Sequence, residues 1–224
     1  MSKEPNAIEE KLERLDREPS IDLRRVAVLI CPPVSLWRCC CAAYLPMRIL
    51  RPLSLASDYI RGPIDETGAS FWRYWKTIGR PAGKLLRLIE NTPARLVRNA
   101  GWRDLMAAIR DRSQVIFLLA HHPDRTDSVE FSGEWREWEQ TAARLGELRE
   151  GVCVLTLCHS VPWRDQLRAR YPQVLAPGGP FEMNFAQSIR FIAFFLGSCD
   201  GKRTFSQAFA RSETRYFEFR GTAK

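Results

Sequence analysis

Long apolar runs are missing from this chain. None approaches the ~18 uninterrupted residues that a membrane-spanning helix needs, so a membrane protein is not expected. The stretch from Met1 to Glu18 is rich in acidic residues and has no hydrophobic signal-peptide region, which makes a cytoplasmic protein the expectation. Internal repeats and low-complexity tracts are absent as well. Gly178-Gly179, between Pro177 and Pro180, is too short to cradle a phosphate and reads as a turn. Histidine is scarce, with only three residues. Cysteine is less so, at seven, but the number is odd and Cys39, Cys40 and Cys41 are consecutive. Neighbouring cysteines do not make a stapling framework, and a chain of this length does not need one, so the thiols are expected reduced. Trp37, Ala42, Ala43, Tyr44 and Leu45 around the triplet favour buried small side chains over a lipidated or metal-binding run.

The 224 residues are 45% hydrophobic and 27% charged, which fits one domain with a proper core and disfavours disorder. Residues 1–20 are a charged N-terminal segment in which Ile8, Leu12 and Leu15 recur at helical spacing; residues 21–224 form the domain. Val26 to Ile30 is a short apolar run closed by Pro32-Pro33, the pattern of a buried strand. Prolines at 46, 52, 63 and 81 then break a stretch whose Trp72, Trp75, Leu85, Leu86, Leu88 and Ile89 imply short packed helices. Thr92-Pro93 reads as a helix start, with Trp102, Leu105, Met106 and Ile109 forming one apolar stripe that ends near Asp111. Val115 to Leu119 is a central strand. A helix is expected from Glu134 to Glu150, on the spacing of Trp135, Trp138, Ala142 and Leu145, and a second buried strand from Val152 to Leu157. Helices at Phe185–Leu196 and around Phe205, Ala208 and Phe209 follow, with a last strand at Tyr216–Phe219. Strands alternating with helices predict an α/β fold whose mostly parallel central sheet is flanked by helices on both faces.

All three histidines stand at the carboxyl ends of two of these strands. His121-His122 closes Val-Ile-Phe-Leu-Leu-Ala, and Cys158-His159 closes Val-Cys-Val-Leu-Thr-Leu. Reactive groups in open parallel sheets gather outside the carboxyl ends of the strands, so neighbouring strands would bring an imidazole and a thiol into one crevice. A thiol needs a base or cation nearby to become a useful thiolate, and the same imidazole can then protonate the leaving group. Taken singly, a cysteine or a histidine ending a strand is ordinary packing; the joint placement is what suggests a dyad.

The spans Val115 to Asp124 and Val152 to Ser160 resemble the two motifs of caspase-like cysteine peptidases, especially the CHAT type, in which a strand ending in His-Gly precedes a strand ending in Ala-Cys. Here His121 and Cys158 are 37 residues apart. Val129 to Gly133 resembles the family's short hairpin, the next segment its helix, and Thr204 to Arg211 its closing helix. The resemblance, over about Thr92 to Ser212, implies a caspase-like three-layer sandwich and cleavage of a specific protein or peptide substrate without a cofactor. It names Cys158 as nucleophile, His121 as acid/base and the backbone N–H groups of Cys158 and His122 as oxyanion donors. It further implies a separate activating protein partner, in a bacterial regulatory or defence pathway. His122 is the second choice of base, because Pro123 would then occupy the donor position without an N–H; one lost donor costs ~10²–10³ in turnover. Leu157 departs from the usual small residue, and His159 either contacts substrate or is solvated. Asp124, Asp127 and Glu130 are the acidic residues nearest the base. Loops at 178–184 and 199–203, carrying Glu182, Asp200, Lys202 and Arg203, would line the pocket for the substrate side chain, whose sign stays open.

Three other readings compete. A caspase-like scaffold with attenuated catalysis would act as a protein-interaction module. Zinc favours imidazole and thiolate, but adjacent strand residues such as Cys158 and His159 point apart, so no metal is expected. Nucleic-acid binding is raised by a net charge of +8 and by 16 basic against 7 acidic residues from Asp22 to Arg112, with Trp37, Trp72, Trp75 and Trp102 interleaved. No reading motif accompanies them, and a solvated basic surface is the simpler account.

Overall fold

A computed structural model of the protein describes residues 7–17, 21–31, 80–120, 128–132, 134–148, 150–156, 173–177, 185–199 and 201–221. The fold is α/β. Five strands, β1 (Val26–Ile30), β2 (Arg95–Arg98), β3 (Val115–Leu119), β6 (Val152–Leu155) and β7 (Val174–Leu175), form a sheet in the order β2-β1-β3-β6-β7. Every pairing in it is parallel. A separate antiparallel hairpin joins β4 (Ser128–Phe131) to β5 (Glu134–Glu137).

The continuous apolar runs of β1, β3 and β6 have one cause: each strand is covered on both faces, so neither parity of residue can be polar. Alternation sorts their side chains into two cores. Val26, Val28, Ile30, Val115, Phe117, Leu119, Val152 and Val154 face a layer built from α1 (Ala7–Arg17), α2 (Arg80–Glu90), α5 (Phe185–Ser198) and α6 (Phe205–Gly221). Ala27, Leu29, Ile116, Leu118, Cys153 and Leu155 face α3 (Trp102–Arg110), the hairpin and α4 (Trp138–Leu145). The result is a three-layer sandwich.

The first layer is aromatic. Phe117 meets Phe195 and Phe191 edge-on, with centroids 5.0 and 6.3 Å apart. Phe205 and Phe209 of α6 extend the cluster outward from Phe195 and Phe191. Helix α5 lies between the sheet and α6, which is why its sequence is apolar nearly all round. Helix α1 joins this layer: Leu15 is buried, and the Asp16 carboxylate accepts the Ser206 N–H at 2.9 Å, satisfying an orphan donor of the first turn of α6. No described helix is long and apolar enough to cross a membrane.

Three sequence expectations are corrected. Thr92 does not open a helix; its hydroxyl donates to the Ile89 carbonyl at 2.7 Å and so closes α2. The residues after it form edge strand β2, whose Leu96 and Val97 are half-buried against β1. Helix α3 starts only at Trp102, after Gly101, whose N–H donates to Asp104 Oδ2 at 2.9 Å, although its apolar stripe is as expected. In the segment from Glu134, the first four residues are β5 and the helix begins at Trp138, because the hairpin partner claims them before the helix can. Tyr216–Phe219 lies within α6, not in a strand. The helix is capped at Thr204, where Gln207 Oε1 accepts the Thr204 N–H, and nothing between Phe205 and Arg220 is glycine or proline to stop it. The two-residue β7 is too short to have been read from sequence. Cys39–Cys41, Trp37, Trp72, Trp75 and Gly178-Gly179 lie outside the described residues.

Candidate active site

The candidate chemistry depends on where β3 and β6 end. These strands are direct neighbours, run the same way, and pair as Val115 with Val152, Ile116 with Cys153, Phe117 with Val154 and Leu118 with Leu155. Their carboxyl ends therefore share one rim. The last described residue of each, Ala120 and Thr156, is fully buried. Thr156 makes three hydrogen bonds to two partners. Its N–H donates to the Leu118 carbonyl at 3.1 Å, continuing the ladder, and its hydroxyl reaches the same oxygen at 3.3 Å. Its own carbonyl accepts the hydroxyl of Ser188, from the first turns of α5, at 3.1 Å. Hydrogen bonds in so dry a site are strong and costly to leave unmade, so this corner pins the end of β6 at Thr156. Neither Thr156 nor Ser188 was singled out by sequence; the only signals were a hydroxyl ending an apolar run and one inside an apolar helix.

His121, His122, Cys158 and His159 lie outside the described residues, as do Asp124, Asp127, Glu182 and Asp200. What leads to them is described: β3 stops two residues before His121, and β6 three before Cys158. At the same rim stands Cys31, the residue after β1, whose N–H donates to the Leu119 carbonyl at 2.8 Å. The hairpin turn also sits here, its Ser132 N–H donating to the Cys31 carbonyl at 3.2 Å. Trp102 and Phe131 meet edge-on at 5.4 Å, and the Arg136 guanidinium lies 5.3 Å from the Trp102 ring centroid, held by Glu134 at 2.7 Å. A hairpin is present, over Ser128–Glu137 rather than 129–133, and α4 follows it, both in the connection from β3 to β6. Of the charged pocket candidates, exposed Lys202 and half-buried Arg203 are described, and Arg203 donates to the Ser198 carbonyl at 3.4 Å.

The described cysteines contrast with the role proposed for Cys158. Cys153 belongs to β6 but faces the second core, and burial pushes its thiol far above the ordinary range, leaving it protonated and inert at neutral pH. Cys31 is fully buried, and the half-buried Cys199 thiol donates to the Phe195 carbonyl at 3.2 Å. None of the three is in a disulfide.

A cleft of about 360 Å³ opens at the opposite, amino end of the sheet, lined by Arg110, Arg112, Ser113, Glu147, Glu150 and Gly151 among others. Its charges are mixed and it is far from the rim that β3 and β6 share, so it is not the site of the proposed reaction. Among the described residues, no three His, Cys, Asp or Glu side chains gather as metal ligands would. Searches of family models, of curated proteins and of solved structures return no match to this chain.

Proposed function

We propose that the protein is a cysteine endopeptidase that cleaves a specific protein substrate with a Cys158–His121 dyad. The observation that carries this reading is the register of the two strands. Each residue of β3 pairs with the residue of β6 that is 37 positions further along, and 37 is also the separation of His121 and Cys158. An imidazole and a thiol supplied by adjacent parallel strands in that register belong at one rim of the sheet, where such folds keep their reactive groups.

In the proposed reaction His121 takes the Cys158 proton, and the thiolate attacks the substrate carbonyl to form a carbon–sulfur bond. The oxyanion is met by the N–H groups of Cys158 and His122. His121 returns the proton to the leaving amine as the carbon–nitrogen bond breaks, and water then hydrolyses the thioester. No cofactor enters. The resemblance to CHAT-type peptidases supports a cytoplasmic setting in bacterial defence and an activating protein partner.

The test is site-resolved labelling. The full chain is treated with a chloroacetamide and the modified cysteines are mapped by mass spectrometry, in wild type and in His121→Ala. The dyad predicts that Cys158 reacts at least about tenfold faster than Cys31, Cys153 and Cys199, and that the advantage disappears in the variant. Uniform slow labelling, indifferent to His121, would favour the non-catalytic scaffold.

A further inference from the structure

Strand β2 lies at the edge of the parallel sheet, beside β1, and among the described residues no strand lies on its outer side. The direction of its backbone groups follows from the ladder. The Cys31 N–H bonds to Leu119 of β3, so the odd residues of β1 turn toward β3 and the even ones, Val28 among them, toward β2. Val28 stands opposite Leu96, which turns the backbone groups of Arg95 and Val97 toward β1 and those of Leu96 and Arg98 outward. The edge therefore presents a short row of strand donors and acceptors.

Side chains bracket this row with positive charge. Leu96 packs against the first core and Val97 against the second, so alternation puts Arg95 and Arg98 on opposite faces. Both are exposed, and each already holds a carboxylate: Arg98 that of Glu90 at the end of α2, Arg95 that of Asp111 just past α3, at 2.8 Å. Exposed pairs of this kind exchange partners at little cost. From Lys84 to Arg112 there are seven basic and three acidic residues, and Lys84, Arg87, Arg103 and Arg110 are exposed as well. Charged side chains keep apolar strands off an edge, and arginines do so while admitting an acidic one. We infer that the outer edge of β2 is a docking site for an extended acidic segment of a partner protein, which adds a strand to the sheet and offers carboxylates to Arg95 and Arg98. Because those arginines are three residues apart on opposite faces, the matching acids are also three apart. Main-chain groups at strand spacing favour a polypeptide over a nucleic acid, whose phosphates could use the arginines but not the edge. The inference does not rest on the peptidase reading.

The test is a titration of the isotopically labelled full chain, followed by amide NMR, with the blocked hexapeptide Glu-Glu-Val-Thr-Glu-Glu. Its counterpart Lys-Lys-Val-Thr-Lys-Lys is the reference. The docking edge predicts that the amides of β2 shift with the acidic peptide only, and that binding falls with added salt. Affinity should drop about tenfold when Arg95→Gln and Arg98→Gln are combined. A similar drop is expected in Leu96→Pro, which removes an outward N–H and no bond to β1; Arg144→Gln, on α4, leaves affinity unchanged. The double arginine variant keeps the test decisive should Leu96→Pro not fold. No shift, shifts centred away from β2, an equal response to the lysine peptide, or an affinity indifferent to both arginines would overturn the inference. So would tighter binding of an oligothymidylate at the same residues, or self-association of the wild-type chain that Leu96→Pro abolishes. The edge would then belong to a nucleic acid or to a second copy.

Discussion

The two ends of the parallel sheet are built on different terms. At the amino end backbone is packed directly on backbone. A Cβ on Gly151 would lie 2.2 Å from the Ser113 carbonyl oxygen, Arg112 takes a left-handed φ of 53°, and main-chain bonds link Gln114 to Arg25 and Val152 to Gln114. At the carboxyl end main-chain bonds from Cys31, Ser132 and Thr156 are joined by side-chain ones, from the hydroxyls of Thr156 and Ser188. The Gly151 contact leaves no room for any side chain, whereas a hydroxyl-to-carbonyl bond can be removed singly at modest cost. The tightest backbone contact is thus at the amino end, and the proposed reaction would take place at the other.

Breaking the amino end should have the largest effect on stability. Gly151→Ala forces the two strands apart and should cost about 3 kcal/mol in urea unfolding, since the obstacle is a carbonyl with no rotamer to change. Alkaline pH sharpens the contrast next. The Cys153 thiol is raised in the folded state and ordinary, at about 8.5, in the unfolded chain, so the folded protein keeps a proton that the unfolded one loses. Its contribution is complete below that pH and declines above it, reaching a loss of about 2 kcal/mol by pH 10. The unfolding free energy of Cys153→Ala should accordingly fall less between pH 8 and pH 10 than that of wild type.

The carboxyl end should respond more gently. Ser188→Ala removes one buried hydrogen bond to Thr156 and should cost about 1 kcal/mol. Because it loosens the exit of β6, it should also slow Cys158 alkylation several-fold, which Gly151→Ala, once folded at low temperature, should not. The smallest change is expected at the surface, where Asp111→Asn breaks an exposed pair with Arg95 at 2.8 Å and should shift stability by less than about 0.5 kcal/mol.

How far the sequence could be read follows from how each element is specified. β1, β3 and β6 are legible because burial on two faces leaves an unbroken apolar run, and α5 because a helix lying between the sheet and α6 is mostly apolar. Elements defined by a partner were not. β2 and β5 owe their extended form to β1 and β4, and their sequences, Arg-Leu-Val-Arg and Glu-Trp-Arg-Glu, carry no strand pattern strong enough to outweigh the helical spacing around them. Trp135 misled for the same reason: its distance from Trp138 fits one turn of helix, yet one is exposed on a strand and the other buried in a helix. The neighbouring strands behind the candidate dyad were anticipated from the alternation of elements, and their shared register is a stronger constraint than that alternation alone provided. Thr156 and Ser188 could not be anticipated, because a hydrogen bond across 32 residues has no local signature.

The most direct test of the central claim is the pH dependence of Cys158 alkylation in wild type and in His121→Ala. An imidazole beside the sulfur predicts an apparent thiol pKa below about 7.5 in wild type, returning to about 8.5 in the variant. Identical profiles in the two proteins, both rising only near the pKa of a free thiol, would contradict it.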